Sequence, residues 1–291
     1  MLIFHSKSDL QNHLETLRSE NKKIGFVPTM GALHLGHLSL IALSKESNDV
    51  TVCSIFVNPT QFNDPKDFEK YPSTIEADKQ LLISEGCDIL FFPTVDEMYP
   101  NGLNENKHFE LGELEQIWEG EHRPGHFQGV CLIVEKLLQL VLPDTLFLGE
   151  KDFQQVAVLR KMIAQHKDLS NIQVLTGKTI READGLAMSS RNLRLNPEER
   201  KQALAIYKGF QFIQQGILNH SFDLNELKKQ FEDQLYQNGF HKIDYIAFVE
   251  PNEMREISQL QFPFLVIVAA FLGQVRLIDN FYLTHEHTQR I

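Results

Sequence analysis

The chain has 291 residues, 42% of them hydrophobic and 23% charged, with 28 basic against 39 acidic residues and a formal net charge of −11. That length suits one large domain with a smaller companion, and the acidic balance argues against a nucleic-acid binder, which rewards a basic face. The start, MLIFHSKSDLQNHLETL, has no charged segment followed by a long apolar core, so no secretory signal is expected. The longest apolar run, FLVIVAAFL at 264–272, is about half of the ~20 residues a membrane helix needs and reads as a buried strand. Cys53, Cys87 and Cys131 lie in or beside apolar runs with no CxxC pair, which predicts buried, reduced thiols.

In chain order, KIGFV (23–27) predicts a short strand and HLSLIALSKES (37–47) a helix. TVCSIFV (51–57) is a β-branched run without a polar face, as in a central strand of a parallel sheet covered on both sides. A polar helical stretch at 73–86, a strand DILFF (88–92) and a loop through Pro93, Pro100 and Gly102 follow. QGVCLIVEKLLQLV (128–141) puts Val130, Ile133, Val134, Leu137, Leu138 and Val141 on one helical stripe, and Pro143 stops it. TLFLG (145–149), DFQQVAVLRKMIAQH (152–166) and IQVLT (172–176) continue the alternation, which predicts βαβ units and a doubly wound parallel sheet. After about residue 180 the texture changes to two helical stretches (197–217 and 223–238) and three strands, IDYIAFV (243–249), FLVIVAAFL and VRLIDNF (275–281). The expectation is an α/β domain over 1–180 and a smaller α+β domain over 181–291, with the loop 177–196 as the joint.

Three polar clusters, PTMGALHLGH (28–37), NPTQF (58–62) and GEKDFQQ (149–155), each follow a predicted strand. They fall at carboxyl ends of parallel strands, where open α/β sheets bind ligands. His34 and His37, three apart, share one face of a helical turn and have three readings. They could point at a metal, although no HExxH or cysteine cluster supplies further ligands. They could be a structural pair. Or, with Gly31 and Gly36 letting main-chain amides approach a phosphate at the start of the helix near His37, they could donate to charge developing on that phosphate.

In DGLAMSSRN (184–192), two hydroxyls and Arg191 suit a polyphosphate, since a guanidinium binds phosphate bidentately, while SSRN by itself also reads as a turn or helix cap. Lys151 stands where a strand turns into a helix, placed to meet a phosphate. Asp152 either caps that helix or helps hold a Mg²⁺ carried in by ATP. Gln155 lies one turn on from Lys151 and Gln61 at the neighbouring strand end, two neutral amides suited to a small hydroxyl-rich carboxylate. In HRPGHFQG (122–129), Arg123 either orients a substrate or does not, and His126 and Gln128 either serve it or cap the helix start.

HLGH resembles the HxGH motif of a nucleotidyltransferase superfamily, and MSSR resembles the loop that closes over ATP phosphates there. Together with SIFVNPTQF, YP at 71–72, EMYPNG (97–102), HRPGHFQGV, GEKDFQQ, DGLAMSSRN and RLIDN (276–280), the chain resembles the pantothenate synthetase (pantoate–β-alanine ligase) family in order along nearly its whole length. The resemblance implies a Rossmann-like N-terminal domain and an ATP-dependent, Mg²⁺-dependent ligase, cytoplasmic and homodimeric, that joins pantoate to β-alanine through pantoyl adenylate. It implies small-molecule partners, with neither nucleic acid nor membrane. It assigns ATP to Met30, Gly31, Ala32, Leu33, His34, Leu35, Gly36 and His37, to Gly149, Glu150, Lys151 and Asp152, to Ile180 near the adenine, and to Met188, Ser189, Ser190 and Arg191. It assigns pantoate to Gln61 and Gln155 and β-alanine to Gln61, with His37, His34 and Lys151 as the catalytic donors and the smaller domain as a lid. One departure is TGKTI (176–180), where the family has a proline-containing VPT-like segment, which puts the backbone path at the adenine pocket in doubt.

Overall fold

In a computed structural model of the chain, residues 1–63, 65–103, 107–219 and 223–285 are described below. Six strands, β1 (Leu2–Phe4), β2 (Ile24–Thr29), β3 (Val50–Ile55), β4 (Ile89–Phe91), β5 (Thr145–Gly149) and β6 (Gln173–Gly177), form one sheet in the order β1-β4-β3-β2-β5-β6. Every neighbouring pair is parallel. From β2 the chain steps outward through β3 to β4, then returns to lay β5 on the other side of β2. The order therefore reverses between β2 and β5, the switch point at which such sheets open a ligand crevice.

The expected core strands are present because their apolar runs are buried on both faces: Ile24, Phe26 and Val27 in β2 and Val52, Cys53 and Ile55 in β3 are all nearly inaccessible. Among the elements not anticipated are the first strand and the first helix. β1 is three residues long and largely exposed, too short for any periodicity, and pairs with β4 at the sheet edge. The Lys7–Ser19 helix that follows is capped by the Ser6 hydroxyl. The His126–Val141 helix buries not one stripe but almost its whole circumference, including Cys131, Leu132 and Leu140. Its Glu135 is buried too, paired with Lys107 and 3.1 Å from His166 Nε2. All three cysteines are buried and free.

The chain divides into two compact units, Met1–Glu150 with Gln154–Thr179, and Lys151–Phe153 with Ile180–Ile291. The second holds an antiparallel sheet of β7 (Lys242–Val249), β8 (Phe264–Leu272) and β9 (Val275–Leu283) in that order. The Ala205–Leu218 and Leu224–Gln237 helices pack their Phe210, Ile213, Leu227 and Phe231 into one core with Phe264, Val266 and Val268. Burying such side chains contributes roughly 1.5–3 kcal/mol each. The helix expected over 197–217 is two: Pro197–Gln202, with a capping box between Asn196 and Glu199, and Ala205–Leu218.

Candidate active site

In the first unit, β2 runs into the histidine loop. Gly31 (φ +81°) and Ala32 (φ +48°) take left-handed backbone, which an alanine adopts only at a cost of about 1–2 kcal/mol. The loop is held there by Asp78, buried in the Ile75–Ser84 helix. Its carboxylate accepts the main-chain N–H of Ala32 (2.9 Å) and Leu33 (2.8 Å) and the Thr74 hydroxyl (3.0 Å). A carboxylate this deeply buried needs such charge-assisted bonds to offset its lost hydration. Nothing in the sequence singled it out: an acid within a polar helical stretch looks like a solvated one.

The helix begins at Leu35, two residues earlier than expected, so His34 is its N-cap and His37 its third residue. The two imidazoles form a capping box. His34 Nδ1 accepts the Gly36 N–H (3.2 Å), and His37 Nδ1 accepts the His34 N–H (3.3 Å), with the ring centroids 4.1 Å apart. A neutral ring that accepts at Nδ1 carries its proton on Nε2, so both histidines are fixed as Nε2–H donors.

Most of the main-chain amides that the sequence offered to a phosphate have partners within the loop. The Gly31 N–H goes to Thr29 Oγ1, those of Ala32 and Leu33 to Asp78, those of His34 and Gly36 to the histidines, and that of His37 to the His34 carbonyl. Gly36 instead makes room for the His34 ring, since a Cβ there would lie 2.9 Å from His34 Cε1.

Gln61 ends the short Pro59–Gln61 turn after β3 and is held at several atoms. Its side-chain oxygen accepts from Asn58 Nδ2 (3.2 Å), and its nitrogen lies 2.9 Å from Met30 Sδ, which joins it to the start of the histidine loop. Its amide nitrogen carries a second hydrogen beyond the one facing Met30. Asn58, wholly buried, also reaches the Gly129 carbonyl and accepts from the Tyr99 hydroxyl at 2.7 Å. The Gln61 carbonyl accepts from His126 Nδ1 (2.8 Å) and more loosely from Arg123 Nη2 (3.4 Å). His126 therefore shapes the turn rather than capping its helix, and Gln128 bonds Phe109 and Glu115. Of the two glutamines after the lysine, Gln154 is buried and tied to Leu114, Ile117 and Glu119, whereas Gln155 is half-buried with no hydrogen bond among the described residues. Gly149 closes β5 opposite Gly177, and Glu150 accepts from the Thr176 hydroxyl at 2.9 Å.

In the second unit, the Lys151 side chain is only 17% exposed, with the carboxylate of Asp152 3.9 Å away and the buried Asp279 carboxylate near enough to feel its charge. Ile180 gives its carbonyl to the Met188 N–H (3.0 Å), and the next residues close a bridge between Arg181 and Ala187. The exposed Lys178 lies before this bridge, so the unusual TGKTI leaves the path at Ile180 fixed by pairing. Ser189 caps the Ser190–Arg194 turn by accepting the Arg191 N–H (3.3 Å), and Ser190 is buried. The cap reading of SSRN is thus correct for Ser189. Asp184, exposed nearby, is held below the usual carboxylate range by its hydrogen bond from Arg200.

Among the described residues no three His, Cys, Asp or Glu side chains gather around a metal position. The profile of the pantoate-beta-alanine ligase family matches residues 2–282 of the chain. The chain belongs to the pantoate-beta-alanine ligase family. It is 41% identical over 281 residues to the pantothenate synthetase of Caldicellulosiruptor bescii, covering 96% of this chain and 98% of that one. With the pantothenate synthetase of Bacteroides thetaiotaomicron it shares 42% over 282 residues, again 96% and 98%. The crystal structure of pantothenate synthetase from Thermus thermophilus superposes with a TM-score of 0.88 at 39% identity, covering 97% of this chain and 99% of that one. A pantoate-beta-alanine ligase from Francisella tularensis, complexed with beta-gamma ATP and beta-alanine, superposes with a TM-score of 0.79 at 37% identity and 97% coverage of each chain. In such a family, imidazole N–H groups and ammonium groups are donors of the kind that an adenylation step calls for.

Proposed function

We propose that this chain condenses pantoate with β-alanine, driven by cleavage of ATP to AMP and pyrophosphate. In the first step a pantoate carboxylate oxygen attacks the α-phosphorus of ATP, and the bond to the bridging oxygen breaks with its electron pair leaving on pyrophosphate. In the second, the unprotonated amine of β-alanine attacks the acyl carbon, AMP leaves with the carboxyl oxygen's electron pair, and the amine proton passes to solvent. Both nucleophiles belong to substrates, so the protein's part is to align them, neutralise phosphate charge and keep water from the adenylate.

The observation that carries this reading is the histidine capping box, which fixes Nε2–H donors on His34 and His37 at the carboxyl end of β2. The Lys151 ammonium and the Arg191 guanidinium act on the β- and γ-phosphates. Met30–His37, Gly149–Asp152, Ile180 and Met188–Arg191 contact ATP, Gln61 and Gln155 contact pantoate, and Gln61 also receives β-alanine. Mg²⁺ keeps several waters and takes one or two carboxylates besides substrate phosphates, a donor set the exposed Asp152 beside Lys151 fits. Arriving on the triphosphate, it would neutralise charge on the leaving pyrophosphate. A homodimer in the cytoplasm belongs to the same reading, as does a division into domains over 1–180 and 181–291. No described helix is long and apolar enough to cross a membrane.

The test is exchange of labelled pyrophosphate into ATP with Mg²⁺ present and β-alanine left out. Exchange should require pantoate, and His37→Ala should slow it at least ~100-fold, the scale of losing one transition-state donor. A folded protein without pantoate-dependent exchange would overturn the substrate assignment; a His37→Ala variant of near-normal rate would overturn the histidine's role.

A further inference from the structure

The stretch RLIDN has no part in the chemistry above, yet its last two residues sit at the centre of a buried network inside the second unit. Asn280, 6% exposed, donates from Nδ2 to the main-chain carbonyl of Lys151 at 2.9 Å. Two residues on, the Tyr282 ring stacks with Phe153, centroids 6.4 Å apart and planes 20° apart. β9 therefore holds the short Lys151–Phe153 segment at two points.

The same strand holds the loop carrying the other phosphate-seeking groups. Arg181 clamps the Asp279 carboxylate with both guanidinium nitrogens (2.6 and 3.1 Å), and also donates to the Asn280 carbonyl (3.2 Å) and to the Gly185 carbonyl (3.2 Å). Gly185 and Arg181 belong to the bridged turn that leads into Met188–Arg191. Asp279 in turn accepts the Asn280 N–H at 2.8 Å. Two adjacent residues of one strand thus tie the lysine turn and the 188–191 loop to one another.

We infer that Asn280 is a positioning residue for adenylation: through the Lys151 carbonyl it fixes where the ammonium meets the triphosphate, in register with Arg191. The inference rests on the ligase reading. It also separates two halves of the reaction, because triphosphate is present only in the first. An Asn280 defect acting through Lys151 slows adenylate formation and spares the attack of β-alanine on adenylate already made. A general loss of structure slows both.

The experiment compares wild type with Asn280→Ala and with Asn280→Asp, which keeps the shape but sets an oxygen against the Lys151 carbonyl. Pantoate-dependent pyrophosphate exchange should fall about 10- to 100-fold in kcat in both variants, the scale of a misplacement near 1 Å, with the pantoate KM within about twofold of wild type. Pantothenate formation from preformed pantoyl adenylate and β-alanine should stay within about twofold. In a Lys151→Ala background the same changes should have little further effect, as expected for residues acting as a unit. Wild-type protein without pantoate-dependent exchange would fail the ligase reading itself. Working wild type with unaltered exchange in the variants, equal damage to both half-reactions, full additivity with Lys151→Ala, or variants that do not fold would each overturn the positioning role.

Discussion

Asp78 shows how much of the histidine loop's chemistry depends on a residue that touches no reactant. Its two oxygens satisfy the amides of Ala32 and Leu33, just where Ala32 takes a left-handed conformation. Asp78→Ala would strand both amides, so a loss of about 2–4 kcal/mol is expected in urea unfolding. Pyrophosphate exchange should drop as well, because the imidazoles hang from the turn that Asp78 fixes. Asp78→Asn, retaining one acceptor, should fall between; an Asp78→Ala protein as stable as wild type would contradict this account. At this scale the sequence was half legible. Residue type and spacing brought forward His34, His37, Lys151 and the glutamines, since imidazole, ammonium and amide groups carry their chemistry in their names. Asp78 was silent, and Asn58 and Asn280 entered only as letters of NPTQF and RLIDN, because their roles arise from burial and from partners 46, 71 and 129 positions away, which no local pattern records.

Among elements, the decisive packing is that of the His126–Val141 helix on the Pro59–Gln61 turn. At Gly129 a Cβ would lie 2.2 Å from the Thr60 carbonyl oxygen and 2.9 Å from Gln61 Cα. Those are main-chain atoms, so Gly129→Ala must push the turn away, breaking the Asn58 bond to the Gly129 carbonyl and moving Gln61. The expected result is a pantoate KM raised about tenfold or more, with the ATP KM changed less. Steady-state kinetics showing an unaltered pantoate KM would refute the coupling. The helix itself was readable from its apolar spacing, but its burial all round was not, because periodicity reports the most apolar face and not how many neighbours arrive. β1 escaped notice for the opposite reason: three half-exposed residues gain their order from pairing with β4.

For the molecule as a whole, the alternation of β-branched runs with helical stretches was enough to give a parallel sheet followed by a smaller α+β part, because burial on both faces leaves a distinct composition in each strand, while the antiparallel pairing of the last three strands was not read. The same burial governs its alkaline behaviour. Burial pushes the Cys87 and Cys131 thiols from an ordinary 9.0 up to about 12, and raises Cys53 as well. An acid whose folded pKa is raised favours the fold while protonated. Stability is thus full below that ordinary value, which the unfolded thiols keep, and is lost as pH climbs toward the folded values. Urea midpoints should accordingly decline above about pH 9, and the native thiols should resist alkylation at about pH 8 while the denatured chain reacts fully. Rapid labelling of the native protein would show that these sites open.

The division of the chain gives Lys151–Phe153 to the unit that otherwise begins at Ile180. The polypeptide therefore crosses from one unit to the other three times, at 150–151, 153–154 and 179–180, and not once. A gene truncated after Thr179 would encode all six parallel strands yet leave Lys151, Asp152 and Phe153 without the rest of the unit to which they belong.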